Sequence, residues 1–245
     1  MRRFFAEGLN PDDKKVELRG AEFVHLKKVL RLAQGAQIVV FNGRGLSLNG
    51  VIEAMEKDRA VVKLKGGGEP LRESPVRLIL IQGLPKGEKT DLIIQKATEL
   101  GVSEVRFYAS RRAVSKMPSG KEGIKTQRWR RIAIEAAKQC GRSVVPDVAF
   151  FEDLALASTK LDGAMKIALW ENEKAYAVSQ AMKNPLHGNA IAALVGPEGG
   201  LPDEEIEDAR RLGFTPVKFG PRTLRAETAA IAVLAVLQHA LGDIK

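Results

Sequence analysis

Residues 194–201 read Leu-Val-Gly-Pro-Glu-Gly-Gly-Leu, and they follow on from an apolar run that begins at Ala190. A short, fully apolar run bounded by turn residues predicts a strand that is buried on both faces. The three glycines that follow within five residues predict a loop whose main chain a ligand can approach closely. Pro202 and the acidic residues 203–205 then indicate the start of a helix. The stretch therefore has the outline of a strand, a glycine loop and a helix.

A second stretch, residues 216–230, has the same outline. A strand is predicted to end at Phe219, Gly220-Pro221 forms the loop, and a helix is predicted from Thr223 to Leu241. Two such loops side by side at one end of a sheet would form a pocket lined by backbone amides and carbonyls.

Short apolar strands alternate with amphipathic helices from residue 76 onward. The predicted strands are 76–82, 102–108, 166–170, 190–195 and 215–219, and the predicted helices are 91–100, 127–140, 173–183 and 203–212. This alternation predicts an α/β fold with a largely parallel sheet and helices on both faces.

Residues 1–65 have a different pattern, made mostly of short strands. One helix is predicted over Glu22–Leu32, and Asn42-Gly43 is a strong hairpin signal. This pattern predicts a small β-barrel. Gly66-Gly67-Gly68 favours a linker, because ordering three glycines is entropically costly. We therefore predict two domains, residues 1–68 and residues 75–245.

The two glycine loops carry a family resemblance. Gly-Pro-Glu-Gly-Gly-Leu at 196–201 and Gly-Pro-Arg-x-Leu-Arg-x-Glu-Thr-Ala at 220–229 resemble the RsmE family. The resemblance extends to Arg2-Arg3-Phe4-Phe5, to His25-Leu26-x-x-Val29-Leu30-Arg31, to residues 96–102 and to residues 139–143. RsmE enzymes use S-adenosylmethionine to methylate uridine N3 in small-subunit (16S) ribosomal RNA. They are SPOUT methyltransferases, so the resemblance implies a trefoil-knotted C-terminal domain, a PUA-like RNA-binding N-terminal barrel and a homodimer.

The resemblance implies a cofactor site between the two loops and the neighbouring strand end. The expected cofactor-binding residues are Leu169, Trp170, Leu194, Val195, Gly196, Gly199, Gly200, Phe219, Gly220 and Leu224.

Uracil N3 is a poor nucleophile until it loses its proton, so the reaction needs a base or cations that stabilise the anion. We expect Arg225 to stabilise the anion, and Glu198 or Glu227 to accept the proton. Arg225 directly precedes a helix that is apolar enough to be buried, so an arginine at this position is expected to need a partner or a role. Each carboxylate could instead have a purely structural role, as an ordinary loop hydrogen bond for Glu198 and a favourable helix-dipole position for Glu227.

Positive charge is concentrated in the middle of the chain. Residues 74–143 have a net charge of +9, whereas residues 144–245 have a net charge of −4. Residues 111–131 contain eight basic side chains and one acid, Glu122. Such a segment predicts a nucleic-acid partner, and a merely solvated surface is the alternative. Together with the family motifs, it gives the expected RNA-binding residues Arg2, Arg3, Arg31, Arg111, Arg112 and Arg128.

Several other functions are disfavoured. The histidines are far apart and Cys140 is the single cysteine, so no metal site or internal disulfide is expected. Residues 83–90 nearly match a phosphate-binding P-loop, but the spacing is one residue short and Glu88 interrupts the motif. The first ten residues do not resemble a signal peptide, and the longest apolar run, 229–237, is too short to span a bilayer. We expect a cytoplasmic protein without membrane association.

The predicted helix from Thr223 to Leu241 is apolar on most sides. One sheet face cannot cover all of it, which favours a homodimer. The functional hypothesis is S-adenosylmethionine-dependent methylation of uridine N3 in ribosomal RNA or the small ribosomal subunit. Two alternatives remain open, a SPOUT enzyme acting on another RNA position and a non-catalytic RNA-binding factor for ribosome assembly.

Overall fold

The computed structural model describes residues 1–68, 70–113, 122–183 and 188–245. Residue contacts divide the chain into two compact units. The first unit comprises Met1–Glu73 and Ile134–Val145, and the second comprises Ser74–Ala133 and Pro146–Lys245. The chain therefore passes from one unit to the other three times.

The first unit is built on a five-stranded sheet. Its strands are β1 (Arg2–Phe5), β2 (Lys15–Arg19), β3 (Gln37–Phe41), β4 (Ser47–Met55) and β5 (Arg59–Gly66), in the order β1-β3-β4-β5-β2. β1 pairs with β3 in parallel and the other pairs are antiparallel. The predicted hairpin joins β3 to β4, and the side-chain oxygen of Asn42 accepts hydrogen bonds from the backbone of Arg44 and Leu46.

The predicted helix over Glu22–Leu32 is present in a modified form. Helix α1 (Gly20–Val24) begins earlier than predicted and continues as a π-helical turn over His25–Val29. The chain then leaves the helical conformation at Arg31, whose φ is 51°. The widened turn buries Leu26 completely and leaves Val29 at the surface.

Residues 134–145 complete the first unit, although the sequence pattern assigned them to the second domain. Lys138 Nζ lies 2.9 Å from Glu22 Oε1, and Arg142 donates to Glu73 Oε2 at 2.7 Å. The Lys138 and Arg142 side chains are only 6% and 5% exposed, so these partners replace the water that each charge loses. Such pairs join residues about 70 to 120 positions apart, which no local pattern reveals.

Arg3 lies inside the first unit. Its Nη2 donates to the carbonyl oxygen of Arg142 and to Ser143 Oγ, both at 3.0 Å, and its guanidinium lies 5.0 Å from the centre of the Phe41 ring. Arg3 is therefore a packing residue in this structure rather than the surface RNA contact that we predicted. The apolar surroundings and the carbonyl partner explain the difference.

The second unit is built on a six-stranded sheet in which every neighbouring pair is parallel. Its strands are β6 (Arg77–Gly83), β7 (Glu104–Tyr108), β8 (Asp147–Phe151), β9 (Met165–Leu169), β10 (Ala190–Val195) and β11 (Thr215–Val217), in the order β11-β9-β10-β6-β7-β8. The predicted parallel α/β sheet is confirmed. The edge strand β8 was not predicted, although residues 148–151 are an apolar run between Asp147 and Glu152. A run of only four apolar residues does not distinguish a strand from a piece of buried helix.

Helices cover both faces of this sheet. They are α2 (Lys89–Glu99), the first part of α3 (Glu122–Cys140), α4 (Leu154–Ala157), α5 (Val178–Ala181), α6 (Asp203–Arg211) and α7 (Ala226–Leu241). Residues 134–140 of α3 belong to the first unit. Helix α7 packs on α2, β6 and β10, whereas α4 and α6 pack on each other and on strands β7, β8 and β11. Alternate residues of β6 and β10, such as Ile79 and Leu194, join the core under α4 and α6.

Two predicted helices are shorter in the structure. The helix expected over 173–183 is reduced to α5, because Glu173 Oε1 accepts from the backbone N–H of Ala175 and Tyr176 and turns the chain. Helix α7 begins at Ala226 rather than Thr223. Within the described ranges, none of the helices combines the length and apolarity needed to cross a bilayer.

Candidate functional site

A cavity of about 680 Å³ lies in the second unit, where the chain leaves β9, β10 and β11. It is lined by Lys89, Leu169, Trp170, Glu171, Glu173, Lys174, Val195, Gly196, Pro197, Glu198, Gly200, Leu201, Lys218, Phe219, Gly220, Pro221, Arg222, Thr223, Leu224, Arg225, Ala226 and Ala229. Ligands of open parallel sheets bind at the carboxyl ends of the strands, and this cavity has that position.

The first glycine loop, Gly196–Gly200, is a tight turn. The N–H of Gly200 donates to the carbonyl oxygen of Pro197 at 2.9 Å, and Gly200 has a φ of 68°. A Cβ atom on Gly196 would lie 2.8 Å from the carbonyl carbon of Gly200. Position 196 therefore requires glycine, because the backbone of Gly200 leaves no room for a side chain there.

Strand β6 anchors this loop from the sheet. Gln82 is fully buried, and its Nε2 donates to the carbonyl oxygens of Gly196 and Gly83 at 2.7 and 3.0 Å. A Cβ atom on Gly83 would lie 2.5 Å from Cδ of Pro197. Neither residue was predicted from the sequence, although an amide side chain at the end of an apolar strand indicates a buried hydrogen bond.

The second loop, Phe219–Arg225, lies between β11 and α7. Gly220 has a φ of 81°, which favours glycine, although a Cβ atom on it would have no other atom within 4 Å. Beside this loop, the backbone N–H of Trp170 donates to the carbonyl oxygen of Val217 at 3.1 Å. Trp170 Nε1 is buried and makes no hydrogen bond to the described residues, so it is a donor that a ligand could satisfy.

Lys89, Glu198 and Glu227 form a charge cluster at the cavity. Lys89 Nζ lies 2.9 Å from Glu198 Oε1 and 3.5 Å from Glu227 Oε2. Glu198 Oε1 also accepts from the backbone N–H of Lys86 at 3.0 Å. Burial alone would raise the pKa of Glu198, but the hydrogen bonds from Lys89 and the backbone lower it overall. The hydrogen bond to Glu198 raises the pKa of Lys89, so its ammonium is the favoured form.

Lys89 is a site residue that was not predicted from the sequence. The only signal there was the near match to a P-loop, which pointed to phosphate binding. The structure instead places its ammonium between two carboxylates.

The sequence also matches known families. Residues 72–238 match the model of an RNA methyltransferase domain, and residues 18–65 match that of an RNA methyltransferase PUA domain. The Bacillus subtilis protein named ribosomal RNA small subunit methyltransferase E, or RsmE, is 31% identical over 98% of this chain and 96% of its own length. This chain belongs to the RsmE family.

Solved structures agree with the RsmE assignment. An RsmE from Neisseria gonorrhoeae bound to S-adenosylmethionine is 30% identical, with a TM-score of 0.88 over 100% of both chains. A Legionella pneumophila protein in complex with its bound cofactor SAM is 34% identical, with a TM-score of 0.89 over 99% of this chain and 98% of that one. The predicted RsmE resemblance and the predicted fold class are thereby confirmed.

Most residues predicted to bind the RsmE cofactor line the cavity. They are Leu169, Trp170, Val195, Gly196, Gly200, Phe219, Gly220 and Leu224. Leu194 does not, because it lies fully buried in the core beneath the loop. Gly199 does not line it either, since its Cα faces Arg112. A Cβ atom on Gly199 would lie 3.1 Å from Arg112 Cβ.

The three predicted catalytic residues occupy different positions. Glu198 and Arg225 line the cavity, whereas Glu227, which lies 3.5 Å from Lys89 Nζ, does not. Arg225 is exposed, because the loop before α7 carries its side chain to the surface. Its guanidinium makes no hydrogen bond or ion pair with any residue that the structure describes, which leaves it free for a ligand.

The predicted RNA-binding arginines lie in both units. Arg2 and Arg31 are exposed in the first unit. In the second unit three exposed arginines have protein partners: Arg111 pairs with Asp208, Arg112 donates to the carbonyl oxygen of Gly199, and Arg128 pairs with Asp91. Lys116 and Lys121 of the predicted basic segment lie outside the described residues.

No group of three or more His, Cys, Asp or Glu side chains within the described parts of the chain is arranged to hold a metal ion.

Proposed function

We propose that this protein transfers the methyl group of S-adenosylmethionine to N3 of a uridine in small-subunit (16S) ribosomal RNA. The observation that carries the proposal is the pair of glycine loops around one cavity in an RsmE-family chain, because a family member of closely similar structure binds S-adenosylmethionine.

The cavity has the features that this cofactor needs. Its volume of about 680 Å³ lies within the usual range for ligand pockets. The glycine loops present main-chain groups, and Trp170 Nε1 is a buried donor without a hydrogen bond among the described residues. Lysine and glutamate side chains both line the cavity, which suits a ligand that carries an ammonium and a carboxylate group. The proposed cofactor contacts are the eight lining residues that the sequence predicted.

Bound S-adenosylmethionine supplies a methyl carbon on a sulfonium cation, which is open to in-line attack by a nitrogen. The protein must position the uridine and stabilise the anion that forms when N3 loses its proton. We assign anion stabilisation to Arg225, whose guanidinium is exposed at the cavity. Glu198 is the proposed proton acceptor, because it lines the cavity and Glu227 does not. The lowered pKa of Glu198 makes it a weak base, so the cation contributes more of the rate.

The proposed substrate also implies where the protein works. A ribosomal RNA or small-subunit substrate places it in the cytoplasm. We propose that residues 1–68, completed by residues 134–145, form an RNA-binding domain and that the rest of residues 75–245 forms the methyltransferase domain. Arg2, Arg31, Arg111, Arg112 and Arg128 would contact RNA phosphates, since all five are exposed.

We further propose that the active unit is a homodimer. Helix α7 buries Val233, Leu234 and Leu237 against its own sheet. A second stripe, Ile231, Ala232, Ala235 and Val236, is only half-buried. An apolar stripe of this kind on a surface helix favours a partner, and a second copy is the simplest one.

The decisive experiment is mass spectrometry of small-subunit ribosomal RNA after incubation with the protein and isotope-labelled cofactor. We expect one added methyl group, located on N3 of a uridine. A label at another position would identify a different RNA methyltransferase. Saturable cofactor binding without transfer to RNA or to isolated subunits would indicate a non-catalytic assembly factor instead.

A further inference from the structure

The charge cluster of Lys89, Glu198 and Glu227 has two layers. Lys89 and Glu198 line the cavity, and their side chains are 33% and 26% exposed. Glu227 does not line the cavity, and its side chain is only 12% exposed. Lys89 is thus the member of the cluster that both lines the cavity and pairs with the buried carboxylate.

Two observations show that the negative charge of this cluster is not fully neutralised within it. Glu227 Oε2 is buried and makes no hydrogen bond to the described residues, and its nearest cation, Lys89 Nζ, is 3.5 Å away. The formal charges of two carboxylates and one ammonium also leave the cluster at −1. An incompletely neutralised carboxylate beside a cavity favours a cationic ligand.

Other charged side chains at the cavity differ in exposure. Glu171, Lys174, Arg222 and Arg225 all lie at the surface, where water and salt screen their charges. Glu173 and Lys218 are half-buried and have opposite charges. Within the charge cluster, Glu227 is the least exposed member, so its charge is the least screened.

We propose that the charge cluster makes the cavity distinguish the cationic cofactor from its uncharged product, with Glu227 strengthening and Lys89 moderating that preference. This inference rests on the proposed function. S-adenosylmethionine is positively charged at sulfur, and S-adenosylhomocysteine is neutral there. A negative cluster lowers the free energy of the bound cation and leaves the bound thioether almost unaffected. Product release after each transfer is favoured for the same reason.

The measured quantity is the ratio of the dissociation constants for S-adenosylhomocysteine and S-adenosylmethionine, obtained by titration calorimetry of the full chain. A change that only distorts the site weakens both ligands, so it leaves the ratio unchanged. A change that acts through charge alters the ratio. Removing the Lys89 charge in Lys89→Met should raise it about threefold to tenfold, as expected for one charge at several ångströms in a partly screened site. Glu227→Gln should lower it by a similar factor.

Two control variants complete the design. Lys89→Arg keeps the charge and should keep the wild-type ratio. Lys174→Met removes an exposed lysine of the same cavity and should change the ratio less than twofold.

The outcomes are distinguishable. Opposite shifts in Lys89→Met and Glu227→Gln support the inference, and either variant alone tests it if the other does not fold. Ratios within twofold of wild type in both variants would overturn it while leaving the proposed function intact. A wild-type protein that binds neither ligand would overturn the proposed function itself.

Discussion

Gly196 determines how closely the two ends of the first glycine loop can approach each other. Gly196 has no room for a side chain, because the backbone of Gly200 lies where its Cβ would be. By contrast, Gly123 in α3 has open space around it. The two positions therefore offer a matched comparison between a glycine that the site needs and one that it does not.

We expect Gly196→Ala to weaken S-adenosylmethionine binding by roughly tenfold or more, since forcing a methyl group against backbone costs about 1–3 kcal/mol. Gly123→Ala should leave affinity unchanged. Calorimetry measures both, and circular dichroism checks that each variant is folded. Wild-type affinity in Gly196→Ala would show that the loop adapts without loss.

A second residue-scale prediction concerns Glu205, which is 3% exposed and accepts a hydrogen bond from Ser110 Oγ at 2.8 Å. Burial raises the pKa of Glu205 above its ordinary value of 4.5, and the hydrogen bonds offset only part of this effect. The folded state thus holds the proton more tightly than the unfolded state. Stability from this group is present below pH 4.5 and is lost as the pH rises through the raised pKa.

Glu205→Gln removes this titration, so its melting temperature should rise relative to wild type as the pH increases above 4.5. The expected gain at neutral pH is a few degrees, which corresponds to about 1 kcal/mol for a domain of this size. Glu204→Gln, a change at the exposed neighbouring residue, is the control. A melting-temperature difference that stays constant from about pH 4 to about pH 8 would contradict the prediction.

At the scale of elements, α7 connects the cavity to the proposed dimer. Its first residue, Ala226, lines the cavity, and its half-buried stripe includes Val236. A charge placed in that stripe would have to enter an apolar interface without a partner, which is strongly unfavourable.

We expect Val236→Glu to weaken self-association at least tenfold, by roughly 1.4 kcal/mol or more, and to reduce methylation with it. Light scattering gives the mass in solution. Ala155→Glu places the same charge on the exposed side of α4, which does not pack with α7, and should have no effect. Full methylation by a wild-type monomer would refute the dimer requirement.

Elements with a strong apolar pattern could be predicted from the sequence, and elements fixed by individual hydrogen bonds could not. The strand β10 and the helices α2 and α6 follow directly from apolar spacing and helix-end signals. Helix α5 was overextended because nothing in the spacing shows that Glu173 caps a turn. The trefoil knot stays a prediction of the family resemblance, since chain threading leaves no mark on local periodicity.

The residues of the candidate site also differ in whether the sequence predicts them. Its glycine loops are visible in the sequence because clustered glycines between an apolar strand and a helix are typical of a loop that a ligand approaches closely. Lys89 and Gln82 were missed, because their partners lie 109 and 114 residues away, and only the folded sheet brings them together.

For the molecule as a whole, the distribution of positive charge predicts how RNA affinity responds to salt. Arg111, Arg112 and Arg128 are exposed, and each has a partner that phosphate could replace. Phosphate contacts release counterions, so affinity falls steeply as the salt concentration rises.

Replacing these three arginines by glutamine should lower the slope of log affinity against log salt by about one unit for each lost contact. A triple glutamine variant at Lys160, Lys183 and Lys245, which are exposed elsewhere, is the control. Binding is measured by fluorescence anisotropy from about 50 to about 300 mM salt, a range over which the Debye length shortens about 2.4-fold. An unchanged slope would mean that RNA binds another surface.

The inclusion of residues 134–145 in the first unit has a consequence for protein synthesis. The ribosome makes these residues last among the parts of the unit, and they supply the carbonyl group of Arg142 to Arg3 and the ammonium of Lys138 to Glu22. During synthesis, Arg3 and Glu22 therefore stay without these partners until residue 142 has left the exit tunnel. For the same reason, a gene fusion cut at residues 66–68 would transfer the five-stranded sheet without these contacts.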